Sequence, residues 1–254
     1  MSTVHDVEPH EGDTTIIRNF LRNIIIKYSD AFIVHGNYLK NLFMKIYHVP
    51  DFQVEVIPHG EFSIYKNFLK RNVFVNENEI LFFGRIYKYK GLEYLIRSEP
   101  LISKEIPDLK ITIAGRGENF KKYLKLIINK DKFTIMNRYI SNEETAELFQ
   151  RCKIVVLPYT GASQSGVVPI AYAFNKPVVA TSVGSLGEVV YDGATGFLVP
   201  PRDCKALADA VVKILKDKEL YKNMSLNAHD KALNELSWDR IADKTISFYE
   251  KLLK

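Results

Sequence analysis

The chain has 254 residues, 46% of them hydrophobic and 26% charged, with a formal net charge of +5. That length can bury one large core or two smaller ones, and the balance is that of an ordinary globular protein. No apolar run approaches the ~20 residues that span a bilayer and no leader-like segment opens the chain. Cys152 and Cys204 lie too far apart for a C-x-x-C or zinc spacing, so the sequence predicts a cytoplasmic protein without a metal site. The mild positive charge comes with no zinc-finger, RNP or recognition-helix pattern, which argues against a nucleic-acid partner.

Near the start, Ile16, Ile17, Phe20, Leu21, Ile24 and Ile25 recur at helical spacing, with Arg18, Arg22 and Lys27 between them. Such a helix either packs its apolar stripe on an adjacent sheet, the reading preferred here, or lies on an anionic membrane surface as a peripheral contact. Beyond it, short β-branched or aromatic runs predict strands at 31–35, 54–58, 79–83, 109–114, 133–136, 154–158, 177–181 and 197–199. Amphipathic segments at 91–104, 119–128, 142–150 and 167–174 predict helices between them. This alternation specifies parallel sheets with helices on both faces, and runs such as Ile154-Val155-Val156-Leu157 suit strands covered on both sides. Asp203 precedes a helix over 206–215, and Ser237 or Asp239 caps a last one over 240–253. The turn-prone Pro58-His59-Gly60 divides the chain into residues 1–60, too few strands for a full sheet, and 61–235, long enough for a complete doubly wound domain.

Four loops carry candidate chemistry. Phe82-Phe83-Gly84-Arg85 ends a strand, and Arg85 and Lys90 project from the loop before Gly91. In open α/β sheets ligands bind outside the carboxyl ends of the strands, where a guanidinium fork and a compact ammonium suit a diphosphate. Gly161-Ala162-Ser163-Gln164-Ser165-Gly166-Val167-Val168 joins a strand to a helix, with small residues and helix-start N–H groups able to approach an anion. Gly115-Arg116-Gly117-Glu118 is either a ligand-flanking loop or a plain turn. In Thr181-Ser182-Val183-Gly184-Ser185-Leu186-Gly187-Glu188, Glu188 either touches a ligand hydroxyl or caps the following helix.

Together these segments resemble the glycosyltransferase group 1 family, whose fold is GT-B and which retains anomeric configuration. Gly84-Arg85 with Lys90-Gly91 is similar to the family's GR…KG element, and Ile113-Ala114-Gly115-Arg116-Gly117 to its GxG turn. Lys176-Pro177-Val178-Val179-Ala180-Thr181, Val183-Gly184, Glu188 and Gly193-Ala194-Thr195-Gly196-Phe197-Leu198-Val199 resemble its closing run, and Ser237-Trp238 the segment that crosses back to the N-terminal domain. Thr3-Val4-His5-Asp6-Val7-Glu8-Pro9-His10 resembles a strand end whose histidine faces the donor sugar, which makes His5 the catalytic candidate beside Arg85 and Lys90.

The resemblance implies donor contacts at Gly84, Arg85, Lys90, Gly115, Gln164, Ser165, Gly166, Val167 and Glu188, with no metal or other cofactor. It implies a complete donor domain over 61–235, a remnant of the acceptor domain over 1–60 and a crossing helix over 236–254. Two departures stand out. The family's two glutamates, eight positions apart, correspond here to Ala162 and Ile170, and no Asp or Glu occurs from Leu148 to Gly187. The chain also begins late in what would be the acceptor-binding half. The implied activity is hexose transfer from a nucleotide-sugar donor to a sugar or lipid-linked acceptor. The alternative is a nucleotide-sugar-binding subunit that needs a separate N-terminal-half polypeptide, or a homo-oligomeric partner, for catalysis.

Overall fold

A computed structural model describes residues 1–7, 16–70 and 73–253, with the side chains of 16–19 outside the description. Glu8, Pro9 and His10 of the strand-end motif, and the side chains of Ile16, Ile17 and Arg18, therefore lie outside the described residues. In chain order the elements are β1 (Ser2–Val4), α1 (Ile16–Lys27), β2 (Phe32–Val34), α2 (Asn37–Tyr47), β3 (Val54–Val56), β4 (Glu79–Phe83), α3 (Leu92–Glu105), β5 (Lys110–Gly115), α4 (Lys121–Leu124) and β6 (Phe133–Asn137). There follow α5 (Asn142–Arg151), β7 (Ile154–Leu157), α6 (Val167–Ala173), β8 (Val178–Thr181), α7 (Leu186–Val189), β9 (Gly196–Val199), α8 (Cys204–Lys216), α9 (Lys218–Asn234) and α10 (Trp238–Leu252).

Strands β1-β2-β3 form a small parallel sheet, and β6-β5-β4-β7-β8-β9 form a six-stranded parallel sheet. The larger sheet grows outward from β4 in one direction and, after a reversal, from β7 in the other. Its topological switch point therefore lies between those two strands, where an open α/β sheet forms its ligand crevice. Alternate residues of each strand enter opposite cores. Ile80, Phe82, Ile111, Ile113, Ile154 and Val156 pack with Leu95 of α3 and Val211 of α8. Leu81, Val155, Leu157 and Ala180 face Phe149 of α5, Tyr172 of α6 and Ala228 of α9. This double coverage is why the strands read as unbroken apolar runs.

The small sheet is covered by α2 on one face, through Leu39 and Phe43, and on the other by α10, through Ile241 and Phe248. Two adjacent connections join the sheets. The Glu61 N–H donates to the Leu236 carbonyl at 2.8 Å, the Trp238 indole N–H donates to the Glu61 carbonyl at 2.9 Å, and the Trp238 ring occupies the space a Cβ on Gly60 would need.

Several sequence expectations change. The helix expected over 119–128 is a single turn, Lys121–Leu124, and Asn119 accepts the Lys121 N–H at its start. Helices α2 and α9 were not anticipated. Of the apolar stripe of α1, the described side chains Phe20, Leu21, Ile24 and Ile25 are all exposed and do not pack on the sheet. Among the described residues, no helix is long and apolar enough to cross a membrane.

At the amino end of β4, Glu79 is 4% exposed and accepts from the Thr112 hydroxyl at 2.7 Å and from Arg151 Nε at 2.9 and 3.0 Å. A buried carboxylate is tolerated because these donors replace the water it loses. Removing it leaves the buried Thr112 hydroxyl without its acceptor and the partly exposed Arg151 guanidinium without its carboxylate. Glu79→Ala is expected to lower unfolding free energy by about 3 kcal/mol, measured by urea denaturation.

Candidate donor site at the switch point

The two loops at the switch point are those that leave the carboxyl ends of β4 and β7, and close backbone packing holds them together. Gly91 has φ +63, and a Cβ there would lie 1.8 Å from the Pro158 carbonyl oxygen. The Thr160 N–H donates to the Tyr89 carbonyl at 2.8 Å, pinning the tight turn Lys88–Lys90 against the strand β7 exit. On the other side Gly115, with φ +145, lies so close to the Gly84 carbonyl that a Cβ would fall 1.8 Å from its oxygen. Backbone bonds from Gly84 N to Ala114 O and from Ile86 N to Arg116 O extend the β4–β5 pairing into the loops.

This packing brings the candidate cations together. Arg85 Nη2 donates to the Tyr89 hydroxyl at 3.3 Å, and its guanidinium lies 5.8 Å from the Tyr87 ring centroid. The Lys90 ammonium sits 3.7 Å from the Tyr159 ring centroid and 5.1 Å from that of Tyr89. Tyr159 is fully buried, and its hydroxyl is 3.3 Å from that of Ser165. Gly84 faces Val167, whose Cγ2 would be 3.7 Å from an added Cβ. Arg85, Lys90, Ser165 and Val167 are thus linked through two tyrosines and one glycine. A Cβ added at Gly161 or Gly166 would meet nothing within 4 Å, so this loop presents bare backbone to open space. The Val167 N–H is not wholly free, because Ser165 Oγ accepts from it at 3.3 Å.

Glu188 does not cap its own helix. Its carboxylate accepts from Asn37 N at 2.6 Å, Asn37 Nδ2 at 3.0 Å and Tyr38 N at 2.8 Å. It therefore satisfies the otherwise unpaired N–H groups that open α2 and ties the small sheet to the large one. Ile170 is buried in the core, so that family glutamate position could not hold a carboxylate without rearrangement, and at the other position Ala162 supplies none.

His5 belongs to a cluster the sequence reading did not assemble. His5 Nδ1 is 3.0 Å from His35 Nε2, His35 Nδ1 is 2.9 Å from the Ile57 carbonyl oxygen, and the His35 and His59 rings stack with centroids 3.8 Å apart. A carbonyl can only accept, so His35 carries its proton on Nδ1 and its Nε2 accepts from His5 when the ring is neutral. Burial lowers the His35 pKa, and burial with the two neighbouring imidazoles brings His59 down to about 4. Gln164 approaches His59, which sets this cluster beside the 161–166 loop. No sequence spacing could have revealed it, since the three histidines come from different strand ends.

Residues 77–217 match the family described as "Glycosyl transferases group 1". An uncharacterized glycosyltransferase of Methanocaldococcus jannaschii is 30% identical over 84% of this chain and 57% of its own length, and a second from that organism is 26% identical over 99% and 70%. Among solved structures, sucrose-phosphate synthase of Thermosynechococcus elongatus superposes with a TM-score of 0.76 at 21% identity, over 99% of this chain and 67% of its own. Anabaena HepE in complex with UDP gives 0.75 at 18% identity, over 98% and 71%. The chain thus spans just over half of the first of these relatives.

If the Gly91 approach positions Lys90, Gly91→Ala meets both a left-handed φ and the Pro158 carbonyl. It is expected to cost at least about 2 kcal/mol in chemical denaturation. The match over residues 77–217, carried on a GT-B-like pair of parallel sheets, makes this chain a member of the group 1 glycosyltransferase family.

Proposed function

We propose that this chain is the donor-binding part of a retaining glycosyltransferase, in which Arg85 and Lys90 hold the diphosphate of a nucleotide-sugar. The observation that carries the reading is the placement of both cations at the β4–β7 switch point, beside the open backbone of Gly161 and Gly166. A diphosphate leaving group gains negative charge as the glycosidic bond breaks. Fixed cations stabilise that charge without reorganising, the kind of contribution that is usually the largest in catalysis. Lys90 supplies a compact charge whose ammonium rests on the Tyr159 ring, and Arg85 a planar donor set braced on Tyr89.

In this reading residues 61–235 bind the donor, residues 1–60 form part of the acceptor side, and residues 236–254 return to it. His5 faces the donor sugar from the end of β1. The contact between Gln164 and His59 supports this, because it sets the histidine edge of the small sheet against the donor loop. Gly84, Gly115, Gly166 and Val167 shape the floor. Glu188 acts on the donor side through its hold on α2, which governs how the two sheets meet. Cations and backbone survive the loss of the glutamate pair, whereas carboxylate recognition of a ribose does not. The acceptor is a sugar or a lipid-linked sugar.

A nucleotide-sugar-binding subunit that acts with a separate partner is the second reading, and it is favoured by the apolar, buried Ile170 where the family places a carboxylate. Calorimetry with UDP is expected to show saturable binding to the purified chain. Arg85→Ala with Lys90→Ala should weaken it at least about 100-fold while thermal melting stays two-state, since each charge-assisted phosphate contact is worth ~1.5–3 kcal/mol. No binding of any nucleoside diphosphate by the folded chain would defeat both readings. Sugar transfer on adding a polypeptide that supplies the acceptor half separates them.

A further inference from the structure

We propose that His5, His35 and His59 form a three-imidazole site for a borderline divalent transition-metal ion such as Zn²⁺, placed at the carboxyl edge of the small sheet. This inference uses none of the cations at the switch point, although it shares His5 with the reading in which that ring faces the donor sugar.

The register of the sheet builds the site. Val4, Val34 and Val56 are aligned across β1, β2 and β3, so His5 and His35 each follow an aligned valine, and His59 follows β3 by three residues. Parallel strands send all three exits to one edge. One ligating nitrogen from each ring lies within 4.8 Å of the others. Tetrahedral Zn²⁺ with Zn–N bonds near 2.0–2.1 Å needs ligand nitrogens about 3.3 Å apart, so small side-chain rotations close the set. The His5–His35 pair, at 3.0 Å, is already near that spacing.

The surroundings match those of a metal-binding histidine set. His35 donates its Nδ1 proton to the Ile57 carbonyl, the second contact that typically fixes the ring and directs the Nε2 lone pair at a metal. His59 Nε2 is buried and no well-directed hydrogen bond reaches it, and the same is true of Gln164 Oε1 beside it. The Asp6 carboxylate acts electrostatically on both His35 and His59, which favours a cation among them. Bound metal would replace the proton shared by His5 Nδ1 and His35 Nε2. His5 would then carry that proton on Nε2, so the exchange needs no net proton loss. A cavity of about 410 Å³ bordered by all three histidines, with Trp238 and Tyr249, leaves room for a fourth, exchangeable ligand. Three neutral imidazoles without thiolate select Zn²⁺, Cu²⁺ or Ni²⁺ over Mg²⁺ or Ca²⁺.

The test uses the untagged chain, stripped with a chelator and titrated with ZnCl₂ in a calorimeter, with CoCl₂ titration followed by visible absorption. One equivalent should bind with saturation, and His35→Ala and His59→Ala should each weaken binding by at least about 100-fold, more than the loss of an outer contact alone. His229→Ala, whose ring is held by Asn175 elsewhere, should change nothing. Circular dichroism checks folding. Should either variant unfold, imidazole NMR of the unaltered chain during Zn²⁺ titration decides, with shifts of three histidines at one equivalent supporting the site. Absence of stoichiometric binding, or binding unaffected by the His35 and His59 changes, overturns the proposal. UDP binding measured on the same sample reports the donor site independently, so either reading can fail alone.

Discussion

The constraint on which the rest depends is the near-contact of backbone with backbone where β4, β5 and β7 end. Gly91 against Pro158, Gly115 against Gly84 and Gly117 against Ile86 leave no room for a side chain at any of the three crossings. Each contact is purely steric and weak as an attraction. Their combined effect is to let three loops that are remote in sequence share one small surface. Once the loops lie that close, the positions of Arg85 and Lys90 follow, because each cation rests on a tyrosine from the same bundle of loops. The site is therefore built first by what is absent, a set of Cβ atoms, and only then by charge.

A second layer of organisation concerns how the two sheets meet. Two chain crossings, at residues 60–61 and 236–238, run side by side and are cross-linked by backbone and indole hydrogen bonds. Away from these crossings Glu188 grips the start of α2 with both carboxylate oxygens. The contact is exposed, so water and salt weaken it readily. An arrangement with covalent connections at one place and a soluble, charge-based latch at another suits relative movement of the two sheets. Closure that excludes water around a reactive donor is a general requirement of transfer over hydrolysis.

Much of this was legible in the sequence, for identifiable reasons. The strands of the larger sheet are covered on both faces, so each is a nearly pure apolar run, and strand 79–83 was located to the residue. The sequence places Asp203 before α8 and Ser237 or Asp239 as the cap of α10, and Asp203 and Ser237 each accept an N–H three residues on. Helix α9 escaped because its buried positions are Met224, Ala228, Ala232 and the aliphatic stem of Lys231, which give almost no contrast with its solvent face. Lys231 is hidden beneath Tyr191, with its ammonium 3.0 Å from the ring centroid, an arrangement that no hydropathy pattern signals. The stripe of α1 misled for the opposite reason: a strong amphipathic period shows that a face is apolar but not what it meets.

The histidine cluster shows where local reading stops. Metal spacing rules work when ligands share a hairpin or a helix, so that sequence distance approximates spatial distance. His5, His35 and His59 are separated by whole strand–helix–strand units, and their proximity is set by strand register alone. A parallel sheet brings the residue after each strand to a common edge whatever the length of the connection. The same rule that places Arg85 and the Gly161–Gly166 loop together at the large sheet places three imidazoles together at the small one. Chemistry at a parallel edge is thus encoded in the residues that follow the strands, and it can be read only after the strand order is known.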